Sequence, residues 1–528
     1  MYTFSSRLKT FSFILMVLGI LGIGYSFFTA PKTVEDVEKI LAADSHGHGD
    51  HGDAHTSGEN HGTTTTQEAT TQPAQKDDAT DHAIHDAQDF NENKDRHVTS
   101  TPADQAHQGT AVADTVHTTP AGQDVHDNVA HTEIGQDHAA EAVNKGDHAE
   151  AHALDAHAEH QEHLEHVLHQ LQNKPWAAVY VAALFFMLIA LGALAFYAIQ
   201  NAAQAGWSPV LFRVMEAITA YLLPGSIIFL LLLIAGTMDL HHLFIWMDEN
   251  VVKTDHLIEA KSGYLDKVFF LIRAVIFLAG WNLYRYYARK NSIAQDDAID
   301  NLYYKKNFKA SAGFLVFFIV TESIMSWDWI MSVDPHWYST LFGWYVFASF
   351  IVSAVTVINL FAVYLKSRGY LEYVNTSHIH DLAKFMFGFS IFWTYLWFSQ
   401  FMLIWYANIP EEVTYFITRI EQYNLPFFGL LALNFALPIL ILMNTDFKRL
   451  SWIIVMAGII ILCGHYLDFY VMIMPATVGD QWFIGAGEIG SVLFFLGLFI
   501  FVVFTSLTKV PLLVKRNPLI EESKHFHY

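Results

Sequence analysis

The chain has one cysteine, Cys463, set inside an apolar run. A single cysteine excludes an internal disulfide and an iron–sulfur cluster held by four cysteines of this chain. No Cys-x-x-Cys-His occurs, so no c-type haem is attached. Basic residues are scarce as well, 30 against 52 acidic ones, and none cluster into a basic domain; nucleic acid is excluded as a natural partner. A b-type haem needs axial ligands, most often His, on facing helices. Only His465 lies clearly in an apolar core. His241, His242 and His336 sit at one membrane boundary, and His378 and His380 beyond the other. The chain is therefore expected to hold no redox centre, no catalytic residue and no metal of its own.

What the sequence has in abundance is apolar length. Of 528 residues, 53% are hydrophobic and 15% aromatic. Spanning a hydrocarbon core of about 30 Å takes about 20 mainly apolar residues in a helix. Such runs lie near 11–30, 176–199, 212–237, 267–287, 310–331, 340–365, 382–407, 425–443, 451–475 and 487–508. They are continuous rather than alternating, which argues against barrel strands. The fold class is an all-α integral membrane protein with about ten transmembrane helices. The first run is read as a retained helix rather than a signal peptide, because its apolar stretch from Phe11 to Phe28 exceeds an ordinary signal core.

One polar stretch, 44–172, interrupts this pattern. It carries 25 Asp and Glu, four Lys and Arg, and 20 of the 29 His, so it accounts for nearly all of the net charge of −22. Its composition cannot bury enough apolar area to offset the entropy of ordering, and disorder is expected for most of it. Its last part, Asp147–Gln172, is rich in Ala, Glu, His and Leu and suits an outward continuation of the second membrane helix. The His spacings are irregular, so loose metal binding at most is expected there.

Lys and Arg set the orientation. With the N-terminus inside, eighteen fall in inner segments and four in the short outer loops. Both termini are then cytoplasmic and the His-rich insert is outside. The domains expected are 1–43 (first helix and flank), 44–172 (insert), 173–335 and 336–480 (two four-helix bundles), and 481–528 (last helix and tail). The duplication rests on an internal echo. Phe244-Ile245-Trp246-Met247 followed by Asp248-Glu249 matches Leu403-Ile404-Trp405-Tyr406 followed by Glu411-Glu412. Trp327-Asp328-Trp329 matches Leu467-Asp468-Phe469 four spans later.

Ionisable groups inside a bilayer are costly and mark interiors or water paths. Glu322 lies near the middle of the fifth span, with Asp328 toward its outer end and Arg273 in the outer third of the fourth. His465 and Asp468 share one face of the ninth span, Glu488 opens the tenth, and Glu216 is near the inner end of the third. Arg273 either pairs with an outer acid or joins a path. Glu322, with no basic residue at its depth, is expected to keep its proton. Together these seven residues are candidates for a proton path open to the outside. Gln400 and Asn434 are expected to be interhelical hydrogen-bond links.

Three stretches carry a family resemblance: "TESIMSWDWIMSVDPHWYSTLFGWYVFASF" at 321–350, "FSQFMLIWYANIPEEVTYF" at 398–416 and "GHYLDFYVMIMP" at 464–475. They resemble the membrane subunits of the bacterial alternative complex III, a quinol:cytochrome c oxidoreductase, in the polysulfide-reductase NrfD-like family. The resemblance covers about 176–510. It implies two four-helix bundles in a bacterial inner membrane, a place in a respiratory chain, and menaquinol or another quinol as the substrate of the complex. It implies a sister membrane subunit, an iron–sulfur protein, c-type cytochrome subunits and lipids as partners; haem c and iron–sulfur clusters would reside in those partners. No quinol-binding motif transfers residue by residue, and no family function transfers to the insert. The competing expectation is a secondary transporter of protons or metal ions.

Overall fold

The computed structural model describes residues 2–47 and 141–527. Most of the acidic His-rich insert, and with it the expectation of disorder and loose metal binding, lies outside the described residues. Among those residues ten helices are long and apolar enough to cross a membrane, and no strand occurs. This is an all-α, multi-pass membrane protein.

The spans are α1 (Ser6–Thr29), the inner part of the long helix α3 (Glu141–Ala202), α4 (Pro209–Thr237), α7 (Lys267–Gln295), α8 (Leu302–Trp329), α9 (Phe342–Ser367), α10 (Thr376–Ala407), α12 (Asn424–Leu442), α13 (Ser451–Val478) and α14 (Ala486–Leu507). Shorter helices lie between them: α2 (Val34–Gly47), α5 (Glu249–Thr254), α6 (His256–Lys261), α11 (Pro410–Glu421) and α15 (Ile520–Lys524). The side bearing α2 and the extension of α3 is called outer below.

Two spans are buried nearly all round and are therefore central. The spanning window of α3 is 94% buried and that of α9 83%, against 17% for α1. The two cross at Gly192, where a Cβ would come within 2.7 Å of the Ala354 Cβ. α4, α7 and α8 complete one group around α3. α10, α12 and α13 pack with α9 as a second group. α1 packs along α14 through glycines: a Cβ at Gly19 would meet the Phe494 backbone at 2.4 Å, and one at Gly490 would meet the Gly22 backbone at 2.9 Å. Small residues allow such close backbone approach in a membrane.

The long helix α3 corrects one expectation. Residues 141–172, placed in the disordered insert apart from 147–172, are helical throughout. Pro175 removes one backbone donor at the membrane boundary without ending the helix. Leu164, Val167 and Leu171, at helical spacing, pack against Val37 of α2, a helix that the sequence reading lacked. Side-chain clamps hold the extension. Asn173 Nδ2 donates to the His242 carbonyl (3.2 Å), and its Oδ1 accepts from the His242 N–H (3.0 Å). Gln172 Nε2 donates to the Pro31 carbonyl (3.2 Å).

Candidate functional site

Each helix group builds a corner at its outer end from an arginine, a tyrosine and an aspartate. In the first group Asp266 caps α7, accepting from the Phe269 N–H (2.8 Å), and so fixes the start of the helix that carries Arg273. Arg273 grips Asp328 of α8 with two bonds, Nε to Oδ2 (2.7 Å) and Nη2 to Oδ1 (3.0 Å). Its Nη1 donates to the Tyr264 carbonyl (3.2 Å), and its guanidinium lies 4.1 Å from that tyrosine's ring centre. The Tyr264 hydroxyl donates to Asp328 Oδ1 (2.8 Å). Burial, and next the neighbouring carboxylate, hold the Tyr264 phenol above its ordinary range, so it is a permanent donor. A buried, bidentate pair of this kind is closed.

The second corner repeats the arginine and tyrosine but not the grip. Arg419 of α11 is 3% exposed. Its Nη1 donates to the Tyr415 carbonyl (2.7 Å), and its guanidinium lies 3.3 Å from the Tyr415 ring centre. Its other nitrogens turn to α13, Nε to the Val471 carbonyl (3.1 Å) and Nη2 to the Met472 carbonyl (3.2 Å). Pro475 explains this choice. It lacks the N–H that would bond Val471, and its ring strains the turn. Arg419 supplies the missing donor.

Asp468 is left to neutral donors. Oδ2 accepts from Ser349 Oγ (2.8 Å) and Trp393 Nε1 (2.8 Å), and Oδ1 accepts from the Tyr345 hydroxyl. His465 Nδ1 lies 3.0 Å from the same Ser349 Oγ and 3.7 Å from Asp468. The one hydroxyl hydrogen can go to only one of the two neighbours, and the other must donate to Oγ or do without. When it points to Asp468, His465 carries its proton on Nδ1 and donates to Oγ. Nε2 then holds the lone pair, buried and without a hydrogen-bond partner. Asp468, Ser349 and His465 thus form a relay across α9 and α13. Arg419, Tyr415, Tyr345, Gln400 and Asp468 surround a cavity of about 10 Å³, room for about one water. Gln400 Oε1 is buried there without a partner.

A polar line continues inward from this relay. Tyr345, Ser349, Ser353, Thr356 and Asn359, spaced four, four, three and three, are all buried on α9. Asn359 Nδ2 reaches α10 at the Met386 sulfur (3.3 Å). A π-helical turn at Ala432–Ala436 aims Asn434 at Gly464, where any Cβ would stand 2.0 Å from Asn434 Oδ1. Neither Asn434 Oδ1 nor Nδ2 has a partner. This corrects the expectation of interhelical links at Gln400 and Asn434: both sit in the interior with unpaired polar atoms.

No family model matches the chain, and no curated protein matches it.

The seven sequence candidates fall in separate places. Arg273 and Asp328 close on each other, which settles the alternative left open for Arg273 as pairing. His465 and Asp468 share the relay. Glu216 is bound at the inner end: Arg213 pairs with it (2.7 Å) and with Asp296 (2.6 Å), and the Ser292 and Tyr197 hydroxyls donate to it. Glu322 is 3% exposed, and among the described residues its only hydrogen bond is from the neighbouring Ser323 hydroxyl (3.3 Å); Oε1 has no partner. Glu488 caps α14 by accepting from the Gly485 N–H (2.8 Å) and lines an apolar cleft. No hydrogen bond joins Glu322, Asp328, Asp468 and Glu488 to one another among the described residues. Of the seven, only His465 and Asp468 meet inside the second group, at Ser349. Sequence reasoning missed Arg419 and the α9 stripe. Arg419 reads as a loop cation, and Ser and Thr draw no notice in an apolar span. The signal was there in the 3–4 spacing of small polar residues and in the proline four positions after Val471.

Proposed function

We propose that this chain is an integral membrane subunit of a respiratory quinol:cytochrome c oxidoreductase of the alternative complex III type, with no redox centre of its own, and that its second helix group carries protons. The Asp468–Ser349–His465 relay supports the proton path. It holds a buried acid bound by neutral donors, an imidazole with an unpartnered nitrogen, and an arginine kept off the acid. The three stretches that resemble the NrfD-like family supply most of this site: Tyr345 and Ser349 from the first, Gln400 and Tyr415 from the second, His465, Asp468 and Pro475 from the third. Under this reading the partners are a sister membrane subunit, an iron–sulfur protein and c-type cytochromes. The membrane is a bacterial inner membrane, with termini inside and the His-rich insert outside, and quinol is oxidised in the assembled complex.

Affinity purification of the tagged full-length chain from its native membranes tests this. The expected result is co-purification of c-type haem, iron–sulfur signals and quinol:cytochrome c reductase activity. A chain that purifies alone and catalyses proton- or metal-coupled uptake in vesicles overturns the assignment in favour of a transporter.

A further inference from the structure

A large hollow in the membrane region lies away from both corners. It is an apolar cleft of about 670 Å³ between α14 and the helices α3, α9 and α13, with Leu8 of α1 at its inner end. It follows α14 from Glu488 to Phe504, roughly 24 Å at 1.5 Å per residue. At its outer end Glu488 Oε1 and the Tyr466 hydroxyl are buried without hydrogen-bond partners, and Glu488 is 3% exposed. A second hollow of about 230 Å³ adjoins it, lined by Ser26, Lys174, Phe483 and again Glu488. Lys174 Nζ, over the Phe483 ring at 3.1 Å, likewise has no hydrogen-bond partner. Buried polar atoms are ordinarily hydrogen-bonded, so a carboxylate oxygen and an ammonium left without hydrogen bonds around one pocket point to a ligand that bonds both.

We propose that this is a lipid site for a zwitterionic aminophospholipid. Its phosphate pairs with Lys174, its ammonium pairs with Glu488 Oε1, and one acyl chain enters the apolar cleft. A leaflet's share of the hydrocarbon core is about 15 Å, so the chain covers the cleft from Glu488 to about Leu498. An uncharged amphiphile brings a counter-charge to neither group. An anionic phospholipid satisfies Lys174 and brings no cation to Glu488. The site sits where α1 meets α14, so the bound lipid also seals that helix pair. The inference is independent of the respiratory assignment.

The test is lipid retention by the full-length protein, purified from native membranes and washed in mild detergent, read by native mass spectrometry and lipid extraction. One aminophospholipid per chain is expected in the natural protein. Lys174→Met and Glu488→Gln should each lower retention at least tenfold, and Lys174→Arg should keep it. Glu488→Gln retains the oxygen that caps α14, so loss of lipid there reports the charge and not the fold. Val492→Trp should block the cleft and release the chain. Stoichiometric retention of a neutral or anionic lipid instead overturns the head-group assignment. No retained lipid in the natural protein, or equal retention in Lys174→Met and Glu488→Gln, overturns the site.

Discussion

The two outer corners use the same three residue types to opposite ends. In both, an arginine lies on a tyrosine ring and donates to that tyrosine's carbonyl. In the first, the arginine also takes the aspartate, and nothing is left to move. In the second, Pro475 frees the Val471 carbonyl, which with the Met472 carbonyl claims the guanidinium, and the aspartate turns to Ser349, Trp393 and Tyr345. One proline in a helix thus accompanies the difference between an acid gripped by an arginine and an acid held by neutral donors. The first corner is a closed brace, and in the second the same residue types leave the acid to neutral donors.

The largest effect expected is on the brace. Arg273→Ala leaves Asp328 buried without its cation, a loss of about 3–5 kcal/mol of stability. Arg419→Ala removes donors from carbonyls and from no carboxylate, and should cost about 1–3 kcal/mol. Thermal unfolding in detergent compares them, and the doubly substituted Arg273→Ala/Asp328→Ala should recover part of its loss. Equal costs for the two arginines would break the distinction between the corners.

Asp468→Asn reverses the ranking. Asn keeps an acceptor for Ser349 or Tyr345, so unfolding should change little. Proton release coupled to quinol oxidation in the purified complex should fall by roughly 10²-fold or more, the usual worth of a positioned acid or base. Asp328→Asn should do the opposite, lowering stability and sparing turnover. Glu322→Gln should give a smaller loss of proton release with assembly intact, because the residue is unpaired yet outside the relay. An assembled Glu322→Gln complex with normal proton release leaves the path to the second group alone.

How far these features were legible follows from their physics. Apolar length is local, so the spans near 267–287 and 487–508 appear as Lys267–Gln295 and Ala486–Leu507. The pairing of Arg273 with Asp328 was legible as an alternative, because both are ionisable and lie toward the same side. The extension of α3 before Asp147 was not, because its side chains are those of a polar insert. The separation of Glu488 from Asp468 was not legible either. Depth along a helix is written in the sequence, whereas the face a helix turns to its neighbours depends on packing. Tyr466 and Asp468, two residues apart, point to different sides of α13, one into the apolar cleft and one into the relay.

The smallest effect concerns the outer loops of the two groups. Asp255 caps α6, accepting from the Leu257 (2.9 Å) and Ile258 (3.2 Å) N–H groups, and also bonds His336 Nε2 (2.5 Å) in the link between α8 and α9. The His336 bond first, then the two backbone donors, hold its carboxyl below the ordinary value of 3.8. A depressed carboxylate stabilises the fold above its unfolded value, and that contribution is lost as pH falls through the lower folded value. Acid should therefore release α6 below about pH 4, seen as faster amide exchange across His256–Lys261. Asp255→Asn keeps an oxygen for the cap and removes the titration, so its exchange should be flat with pH through the same range. The matching helix in the second group, α11, begins on Pro410 with no side-chain cap. With only Glu411 and Glu412 in its first turn, its amides should loosen less in the same acid step, and an equal loosening of Pro410–Glu421 would show that the two loops respond to something shared rather than to Asp255.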